Sequence, residues 1–475
     1  MQLTKARITS QKENFSQWYL DVVREAELAE NSEVRGCGIV RPYGYRIWEL
    51  IKKNLAEKLE AEGIENVYFP LFLPMENLEK EKEHVEGFSP ELAVVTHAGG
   101  EKLKNSLVVR PTSEAAMYKT YAKWVQSYKD LPLRLNQWNN VVRWEKRPRP
   151  FLRWSEFLWQ EGHTVFASQE EAEKEMWDIL DIYEKTYHWM ALPVFKGRKS
   201  QTEKFAGAVI TTTAEIMVGD GKAVQGATSH YLGTNFARVF DLTYVGKDER
   251  KHWCHQNSWG FAWRSVGALI MAHGDDNGLR LPPNVAPIQV IIVPIFQGKN
   301  KQKILMAAEK IKQELKDFRV KIDDREDYSM GYKFNQWEIK GVPVRIELGE
   351  RELKEKSVLV FRRDKKTKEK ISLQKLTERI KFLTEEIQQQ LFKEASEFSQ
   401  RHIYRIESWE EIKDQKGFFL ASWSETEESE KMLKERFSMV SRVLPKENQN
   451  RAPSNPKCFI TGEKAKHDWL FAKSY

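Results

Sequence analysis

The stretch RWSEFLWQEGHTVF (153–166) combines charged and aromatic side chains in a spacing that could bind a small ligand. Alternate residues of a strand point to opposite faces. Carboxylates and cations beside flat rings are typical of a pocket for something small, charged and ring-containing. An exposed antiparallel strand with scattered ion pairs would show the same pattern. The face of interest would carry Arg153, Ser155, Phe157, Trp159, Glu161 and His163.

A basic connection precedes this strand. KRPRPF (146–151) joins it to another strand-like run, LRLNQWNNVVRWE (133–145), in which Arg143 and Glu145 would share one face. Guanidinium groups bind phosphate oxygens in a bidentate fork, so an arginine beside a basic loop suits a polyphosphate ligand. A charged surface hairpin would explain the same residues.

Arg264 lies in the apolar stretch NSWGFAWRSVGALIMAHG (257–274), where a strand leading into a helix would bury it. A buried arginine is costly unless it is paired, so we expect a carboxylate or a ligand phosphate beside it. HGDDNG (273–278) lacks the full spacing of a calcium loop and indicates a turn. There is no GxxxxGK[ST], which argues against a P-loop, and the sequence predicts no metal site.

Composition places these residues in a chain of several domains. Its 475 residues include 16 tryptophans, which argues against disorder, and a formal charge of +7 is compatible with a nucleic-acid partner. Three cysteines, far apart in sequence, suggest no disulfide framework. Residues 1–20 are polar, and no apolar run reaches the ~20 residues of a membrane span. We therefore expect a cytoplasmic protein with no membrane partner.

The elements that position these residues change along the chain. Residues 1–284 hold most of the tryptophans and strand-like runs. From VAPIQVIIVPIF (285–296), strands alternate with helical patterns, which predicts a small, mostly parallel sheet. A long amphipathic helix follows from 373, and the poorly patterned C-terminal segment ends in Tyr475.

Several motifs together resemble one family. The C-terminal pieces GYKFNQWEIKGVPVRIELGERE (331–352), VLVFRRD (358–364) and AKSY resemble the anticodon-binding domain and tyrosine-ended extension of class II prolyl-tRNA synthetases of the archaeal/eukaryotic type. The resemblance runs nearly end to end and in order. The other signatures are RPTSE (110–114), VVRWE (141–145), FLWQEGH (157–163), GATSHYLGTNF (226–236), QNSWG (256–260) and HGDDNGLRLPP (273–283).

The resemblance implies an α/β fold with an activity in two steps. Residues 1–284 would form a catalytic domain with an antiparallel sheet flanked by helices, 285–375 an α/β anticodon-binding domain, and 376–475 a helix linker with an α+β extension. The family activates L-proline with ATP to prolyl-adenylate and pyrophosphate, then transfers proline to the 3′ end of tRNA(Pro). It also implies Mg²⁺ on the phosphates and a homodimer formed through residues 41–73, with Pro70 the characteristic proline.

The resemblance assigns residues to each substrate. Arg143 would neutralise charge on the α-phosphate, Arg264 would hold the distal phosphates, and both would be catalytic. The ATP-binding residues would be Arg143, Glu145, Arg153, Phe157, Gln225, Thr228 and Arg264. The proline-binding residues would be Thr112, Glu114, Trp159, Glu161, His163, Phe205, His230 and Ser258. The anticodon would contact Phe334, Glu338, Arg351 and Glu352.

Glu161, with Thr112 and Glu114, would read the proline ammonium, while Trp159, His163 and Phe205 would wall its ring. For His163 and His230, a hydrogen-bonded core histidine is the alternative.

The sequence departs from the family pattern at several places. Cys458 is the only cysteine of the C-terminal region, so we expect no structural zinc. Ala262 replaces a hydroxyl residue near the nucleotide ribose, and Trp154 and Ser155 replace Thr and Arg. The interval between the histidine of FLWQEGH and the glutamine of QNSWG is too short for an editing insertion, so we expect no cis-editing of alanine.

Two other classes of protein would share part of this sequence pattern. Another class IIa synthetase, for serine, threonine or glycine, would lack the pair RPTSE and FLWQEGH. A non-catalytic tRNA-binding paralogue would have lost Arg143, Glu161 or Arg264. The sequence keeps both motifs and all three residues.

Overall fold

The computed structural model describes residues 8–84, 92–296, 300–412 and 415–475. Residues 1–7, the start of the polar N-terminal stretch, lie outside these ranges. Among the helices of the described chain, none combines the length and apolar composition that crossing a bilayer requires.

The part of the chain before residue 285 alternates short strands and helices. Its helices are α1 (Gln11–Glu25), α2 (Pro42–Ala61), α3 (Met75–His84), α4 (Glu114–Trp124), α5 (Gln169–Trp189), α6 (Asn235–Phe240) and α7 (Arg264–His273). Its strands are β1 (Ala29–Asn31), β2 (Gly38–Val40), β3 (Glu65–Asn66), β4 (Phe72–Pro74), β5 (Val94–Ala98), β6 (Glu101–Val109), β7 (Leu133–Val142), β8 (Glu156–Phe166), β9 (Phe195–Arg198), β10 (Ile210–Met217), β11 (Ala223–Gly233), β12 (Thr243–Val245), β13 (Lys251–Trp253) and β14 (His255–Ala262).

An antiparallel sheet with the order β9-β10-β11-β14-β8-β7 forms the centre of this part. The main core lies between this sheet and helices α1, α2, α5 and α7. A capping box of Ser168 and Glu171 begins α5, which packs against β11 and β14. Gly162 lets the Trp259 ring lie across β8, because a Cβ there would lie 2.0 Å from that ring. The expected antiparallel sheet flanked by helices is confirmed.

The apolar spacing of Tyr45, Trp48, Ile51, Leu55 and Leu59 predicts one buried face for helix α2. Trp48, Ile51, Leu55 and Leu59 are buried in the main core. Tyr45 is 44% exposed and does not belong to that face. Gly44 and Ile47 on either side of it are buried, so Tyr45 is exposed because it points away from the buried face.

The next part carries a smaller five-stranded sheet with the order β16-β15-β17-β18-β19. The expected mostly parallel sheet is only half right, because β15 pairs in parallel with β16 and β17 while the other two pairings are antiparallel. The connections before β18 and β19 are shorter than the dozen residues that a parallel crossover needs. The elements are β15 (Val290–Ile295), α8 (Lys301–Glu314), β16 (Val320–Ile322), α9 (Met330–Ile339), β17 (Val344–Gly349), α10 (Glu350–Lys354), β18 (Ser357–Arg362) and β19 (Thr367–Ser372).

The C-terminal part has an ordinary folded core, although its sequence is poorly patterned. Its strands continue the central sheet, because β22 pairs with β9. Gly197 permits this approach, since a Cβ there would lie 1.8 Å from the carbonyl oxygen of Leu444. The elements are α11 (Leu376–Arg401), β20 (Ile403–Arg405), β21 (Phe418–Trp423), α12 (Glu427–Phe437), β22 (Val440–Pro445) and β23 (His467–Ala472).

Candidate active site

A cavity of about 200 Å³ lies over the central sheet and gathers most of the predicted site residues. A second cavity, of about 170 Å³, adjoins it and is lined by Glu145 and Arg153. Arg143, Phe157 and Arg264 line both cavities. The residues that line the first cavity include Thr112, Glu114, Arg143, Phe157, Trp159, Glu161, His163, Phe205, Gln225, Thr228, His230, Ser258 and Arg264.

Strand register explains why these residues meet. Phe157, Trp159, Glu161 and His163 alternate along β8 and reach the same cavity, as the period of a strand requires. His163 lies opposite Ser258 of β14, which in turn lies opposite His230 of β11. Three neighbouring strands therefore each place a polar residue at the same level of the sheet.

Glu161 is fully enclosed by hydrogen-bond donors. Its carboxylate accepts a bond of 3.0 Å from the backbone N–H of Ser113 and one of 2.6 Å from Asn139 Nδ2. His163 Nε2 lies 3.1 Å away. Although burial raises it, these bonds and the charge of His163 bring the pKa of Glu161 below its ordinary value. The carboxylate is therefore ionised at neutral pH.

Glu114 joins Glu161 and His163 in a cluster suited to a cation. One possible ligand atom from each of the three residues lies within 4.8 Å of the others, and all three residues are buried. Although burial opposes it, the charges of Glu114 and Glu161 and a hydrogen bond to Glu161 raise the pKa of His163. Thr112 donates its hydroxyl to Glu114. Two carboxylates against one imidazolium leave a net negative charge, which a metal ion or an ammonium group could balance.

Aromatic rings wall the cavity beside this cluster. The indole Nε1 of Trp159 donates to Asn139 Oδ1 at 2.5 Å, which fixes the ring. The rings of Phe205 and His230 lie 4.8 Å apart. Burial, then the charges of His163 and Arg143, lower the pKa of His230 to about 3, so this histidine is neutral. Thr211 Oγ1 lies 2.9 Å from its Nδ1.

The guanidinium groups of Arg143 and Arg264 line the other side, and that of Arg153 lines the second cavity. Arg143 Nε donates to Pro111 O at 2.9 Å, and its guanidinium lies 5.1 Å from the centre of the Trp159 ring. Arg264 Nε donates to Leu152 O at 3.0 Å. Burial, then the charges of Arg143 and Arg153, lower the pKa of Arg264 to about 10. Within the described ranges, no ion pair joins any of the three guanidinium groups to a carboxylate.

Two expectations about these arginines need correction. The Arg264 side chain is only half-buried. Arg264 is the first residue of α7 and lies at the edge of the cavity, so the apolar side chains around it in sequence do not enclose it. No carboxylate of the described chain forms the expected ion pair with it. Arg143 and Glu145 do not share a strand face, since β7 ends at Val142.

Trp154 lines the second cavity, and Ser155 supports the site from outside both cavities. The Trp154 ring occupies the place where a Cβ on Gly38 would project, at 1.9 Å from the ring. Ser155 N donates to Gly36 O at 2.8 Å, and its hydroxyl accepts a bond from Glu145 N at 3.0 Å. Both residues pack the connection between β7 and β8 against the segment before β2.

The four predicted anticodon residues lie on two helices of the smaller sheet. Phe334 and Glu338 belong to α9, and the Phe334 ring lies 4.1 Å from the guanidinium of Arg345. Arg351 and Glu352 belong to α10, where the Glu352 carboxylate accepts a bond of 3.1 Å from Gly349 N and caps its own helix.

Sequence reasoning missed five residues at the cavity. Asn139 holds both Glu161 and Trp159, and only the register of β7 against β8 reveals it. Lys199 and Glu203 line the cavity from an irregular segment that carries no periodic signal. The other two are Ser113 and Thr211.

Comparison with known domains assigns the three parts of the chain. The tRNA synthetase class II core domain (G, H, P, S and T) matches residues 96–273. The anticodon binding domain matches 289–383, and the prolyl-tRNA synthetase C-terminal domain matches 406–475.

Full-length relatives carry one function. The chain is 44% identical over 476 residues to a proline--tRNA ligase of Natranaerobius thermophilus, covering 98% of both chains. It is 47% identical over 474 residues to proline--tRNA ligase 2 of Bacillus thuringiensis subsp. konkukian, again covering 98% of both. A crystal structure of prolyl-tRNA synthetase from Cryptosporidium parvum, complexed with halofuginone and AMPPNP, is 41% identical with a TM-score of 0.93 and covers 98% of this chain and 99% of that one.

The structure describes every residue between His163 and Gln256. This interval holds only the elements from α5 to β13 and the ends of strands β8 and β14, so no editing insertion lies there. The matched domains and the relatives point to the same family, and the cavity is lined by residues of the motifs that resemble it. The chain belongs to the class II prolyl-tRNA synthetases without an editing insertion, enzymes that use ATP to charge tRNA with proline.

Proposed function

We propose that proline binds in the cluster of Glu114, Glu161 and His163, with its ammonium between the two carboxylates. The net negative charge of this buried cluster is the observation that carries the proposal. Thr112 and Ser258 complete the polar side of the site. The ring of proline lies among the side chains that wall the cavity, namely Trp159, His163, Phe205 and His230.

ATP binds beside it, with its phosphates on the guanidinium groups. Arg143 contacts the α-phosphate, and Arg264 holds the distal phosphates, which supply the anion that these unpaired cations need. Adenine stacks on Phe157 next to Glu145. The other nucleotide contacts are Arg153, Gln225 and Thr228.

Activation is then an in-line displacement. A carboxylate oxygen of proline forms a bond to the α-phosphorus as the bond to the β-phosphate bridging oxygen breaks, and pyrophosphate leaves. Arg143 stabilises the charge that develops on the α-phosphate, and the cavity holds the two substrates in reacting orientation. In the second step the 3′-terminal ribose hydroxyl of tRNA(Pro) attacks the prolyl carbonyl and AMP leaves.

Mg²⁺ fits the donor chemistry of the cavity. This ion takes oxygen ligands, often one or two protein groups together with substrate phosphates. Glu203 and Gln225 line the cavity and would hold it. When bound, it neutralises charge on the phosphates.

The anticodon of tRNA(Pro) binds the smaller domain, and the chain works as a cytoplasmic homodimer. Bases outside a duplex are read by stacking and by their edges, which suits Phe334, Glu338, Arg351 and Glu352. Tyr68 and Phe72, which are 72% and 48% exposed, support a dimer contact through 41–73. The proposed domains are residues 1–284, 285–375 and 376–475.

The C-terminal extension folds without structural zinc, and the enzyme does not edit alanine. Cys458 is buried and its sulfur accepts a hydrogen bond from Ser424 Oγ at 3.4 Å. Metal analysis that found stoichiometric, tightly bound zinc would contradict the first statement. Deacylation of alanyl-tRNA by the pure protein would contradict the second.

The experiment that tests the site is amino-acid-dependent ATP–pyrophosphate exchange without tRNA. We expect strong exchange with proline and a weak signal with alanine, because a pocket rejects smaller ligands weakly. Serine, threonine and glycine should give weaker signals still. No exchange with proline would contradict the proposed binding of both substrates.

A further inference from the structure

The C-terminal part forms the outer support of one cavity wall. The connection from β9 to β10, residues 199–209, brings Lys199 and Phe205 to the cavity. The strand before this connection pairs with β22, where Leu444 lies opposite Arg198. A segment close to the chain end therefore lies behind a wall of the active site.

Glu430 makes the first of two links between them. Its side chain, on α12, is buried and accepts hydrogen bonds from Ser200 Oγ at 3.1 Å and from Thr202 Oγ1. Its second oxygen accepts a bond of 2.9 Å from Ser441 N of β22. The two carboxylate oxygens of Glu430 therefore tie the start of the connection to the C-terminal sheet.

Arg442 makes the second link. Its Nη2 and Nε donate to Glu215 Oε2 at 2.6 and 3.0 Å, and Lys199 Nζ lies 2.8 Å from the other oxygen of that carboxylate. All three side chains are buried. Although burial raises it, the charges of Arg442 and Lys199 lower the pKa of Glu215 to about 2, so the carboxylate is ionised. Loss of Arg442 would leave that buried charge with one partner fewer.

A short path leads from these links to the proposed proline site. Lys199 N donates to Thr211 O at 2.8 Å, and Phe205 N donates to Thr211 Oγ1 at 2.9 Å. The same hydroxyl lies 2.9 Å from Nδ1 of His230, whose ring packs on Phe205. The start and the middle of the connection are thereby fixed against β10, and its outer side against the C-terminal part.

We infer that Glu430 and Arg442 are positioning residues for the proline side of the cavity. They hold the connection 199–209 so that the Phe205 ring stays against His230, and neither residue touches a substrate. The inference rests on the proposed role of Phe205 in binding proline. It gives the C-terminal domain a task in amino-acid binding that is separate from any contact with tRNA.

The test is the split between KM for proline and KM for ATP in ATP–pyrophosphate exchange, measured without tRNA on the full chain. The variants are Glu430→Ala and Arg442→Met. Asp468→Ala is the matched control, because Asp468 is equally buried in the C-terminal part and accepts bonds from Ser422 Oγ and Ser454 N, at 2.5 and 3.0 Å, away from the connection. Thermal unfolding is recorded for each protein.

We expect Glu430→Ala and Arg442→Met to raise KM for proline about tenfold while KM for ATP stays within about twofold. Glu430→Gln, which keeps the shape and one acceptor oxygen, should recover part of the loss. Asp468→Ala should lower the unfolding temperature without changing KM for proline. If the first two variants fail to fold, the double change Ser200→Ala and Thr202→Val removes the Glu430 contacts from the other side and should give the same split.

Parallel changes in both KM values, or an equal effect of Asp468→Ala, would overturn the inference. Phe205→Ala separates it from the proposed function. If KM for proline rises in Phe205→Ala but is unchanged in Glu430→Ala and in the Ser200→Ala, Thr202→Val double variant, the inference is overturned. The assigned proline site then still stands. An unchanged value in Phe205→Ala overturns the assigned proline site and the inference with it.

Discussion

Nε2 of His163 lies 3.1 Å from Oε2 of Glu161, two residues along the same buried strand. The pair shares its surroundings with the carboxylate of Glu114. A protonated His163 balances one of the two carboxylates, so the cluster keeps a single negative charge. The ammonium of proline is the group that balances it in the proposed binding mode.

Glu161→Gln should therefore weaken proline binding selectively. A hydrogen bond to a charged group contributes about 1.5–3 kcal/mol, so we expect KM for proline to rise about 10- to 100-fold. KM for ATP should change little. Glu175→Gln is the control, because Glu175 is equally buried but bonds to Arg134 and Thr164 outside the cavity. A Glu161→Gln variant with unchanged KM for proline in pyrophosphate exchange would remove Glu161 from the site.

The Glu161–His163 pair should also make stability depend on pH. The pKa of His163 is raised in the folded state, so between about 6.5 and that pKa the folded chain binds more protons than the unfolded chain. The pair stabilises the fold fully below the unfolded pKa, and this contribution is lost as pH rises through the folded pKa. In urea titrations, the difference in free energy of unfolding between the wild type and His163→Gln should therefore shrink as the pH rises.

His230→Gln is the matched control for that measurement. The pKa of His230 is lowered to about 3, so above its ordinary value near 6.5 this histidine is neutral in both states. The difference in free energy of unfolding between His230→Gln and the wild type should therefore stay constant over the alkaline range. A constant difference for His163→Gln as well would show that His163 is neutral in the fold.

Arg143→Lys should impair chemistry more than binding. Lysine keeps the charge but loses the bidentate fork, and loss of one oriented donor to a developing charge costs about 10²–10³ in rate. We expect kcat of pyrophosphate exchange to fall by that factor, while Arg264→Lys mainly raises KM for ATP. Arg250→Lys, at an exposed position between β12 and β13, is the control. A wild-type kcat in Arg143→Lys would contradict its proposed place at the α-phosphate.

Gly162→Ala should destabilise the fold at the site itself. A methyl group at this position would lie 2.0 Å from the Trp259 ring, and overpacking of this kind costs about 1–3 kcal/mol. Because Gly162 separates Glu161 from His163, KM for proline should rise together with the loss of stability. Gly331→Ala is the control, since no atom lies within 4 Å of the added carbon on α9. Alanine there should be neutral or stabilise the helix.

The sequence predicts the site best where one strand supplies it. Phe157, Trp159, Glu161 and His163 follow from the period of two alone. Asn139 escapes notice because its meeting with Trp159 depends on the register across a long, irregular connection.

Longer-range features leave no local signal at all. The pairing of Gly197 with Pro445 joins strands that are far apart in the sequence, and only the close backbone contact shows why a glycine is needed. Alternating strands and helices predict a mostly parallel sheet, but the short connections before β18 and β19 make those two pairings antiparallel.

Ala262 offers a test in which the chain should gain affinity. It lines both cavities, and the family resemblance implies a hydroxyl residue near the ribose of the nucleotide at this position. One neutral hydrogen bond contributes about 1 kcal/mol, so Ala262→Ser should lower KM for ATP about fivefold and leave KM for proline unchanged. Ala262→Cys is the matched control, because a thiol is of similar shape but a weak donor. Equal gains from both changes would mean that filling the cavity, and not the hydroxyl, strengthens ATP binding; no gain from serine would place the ribose beyond the reach of this side chain.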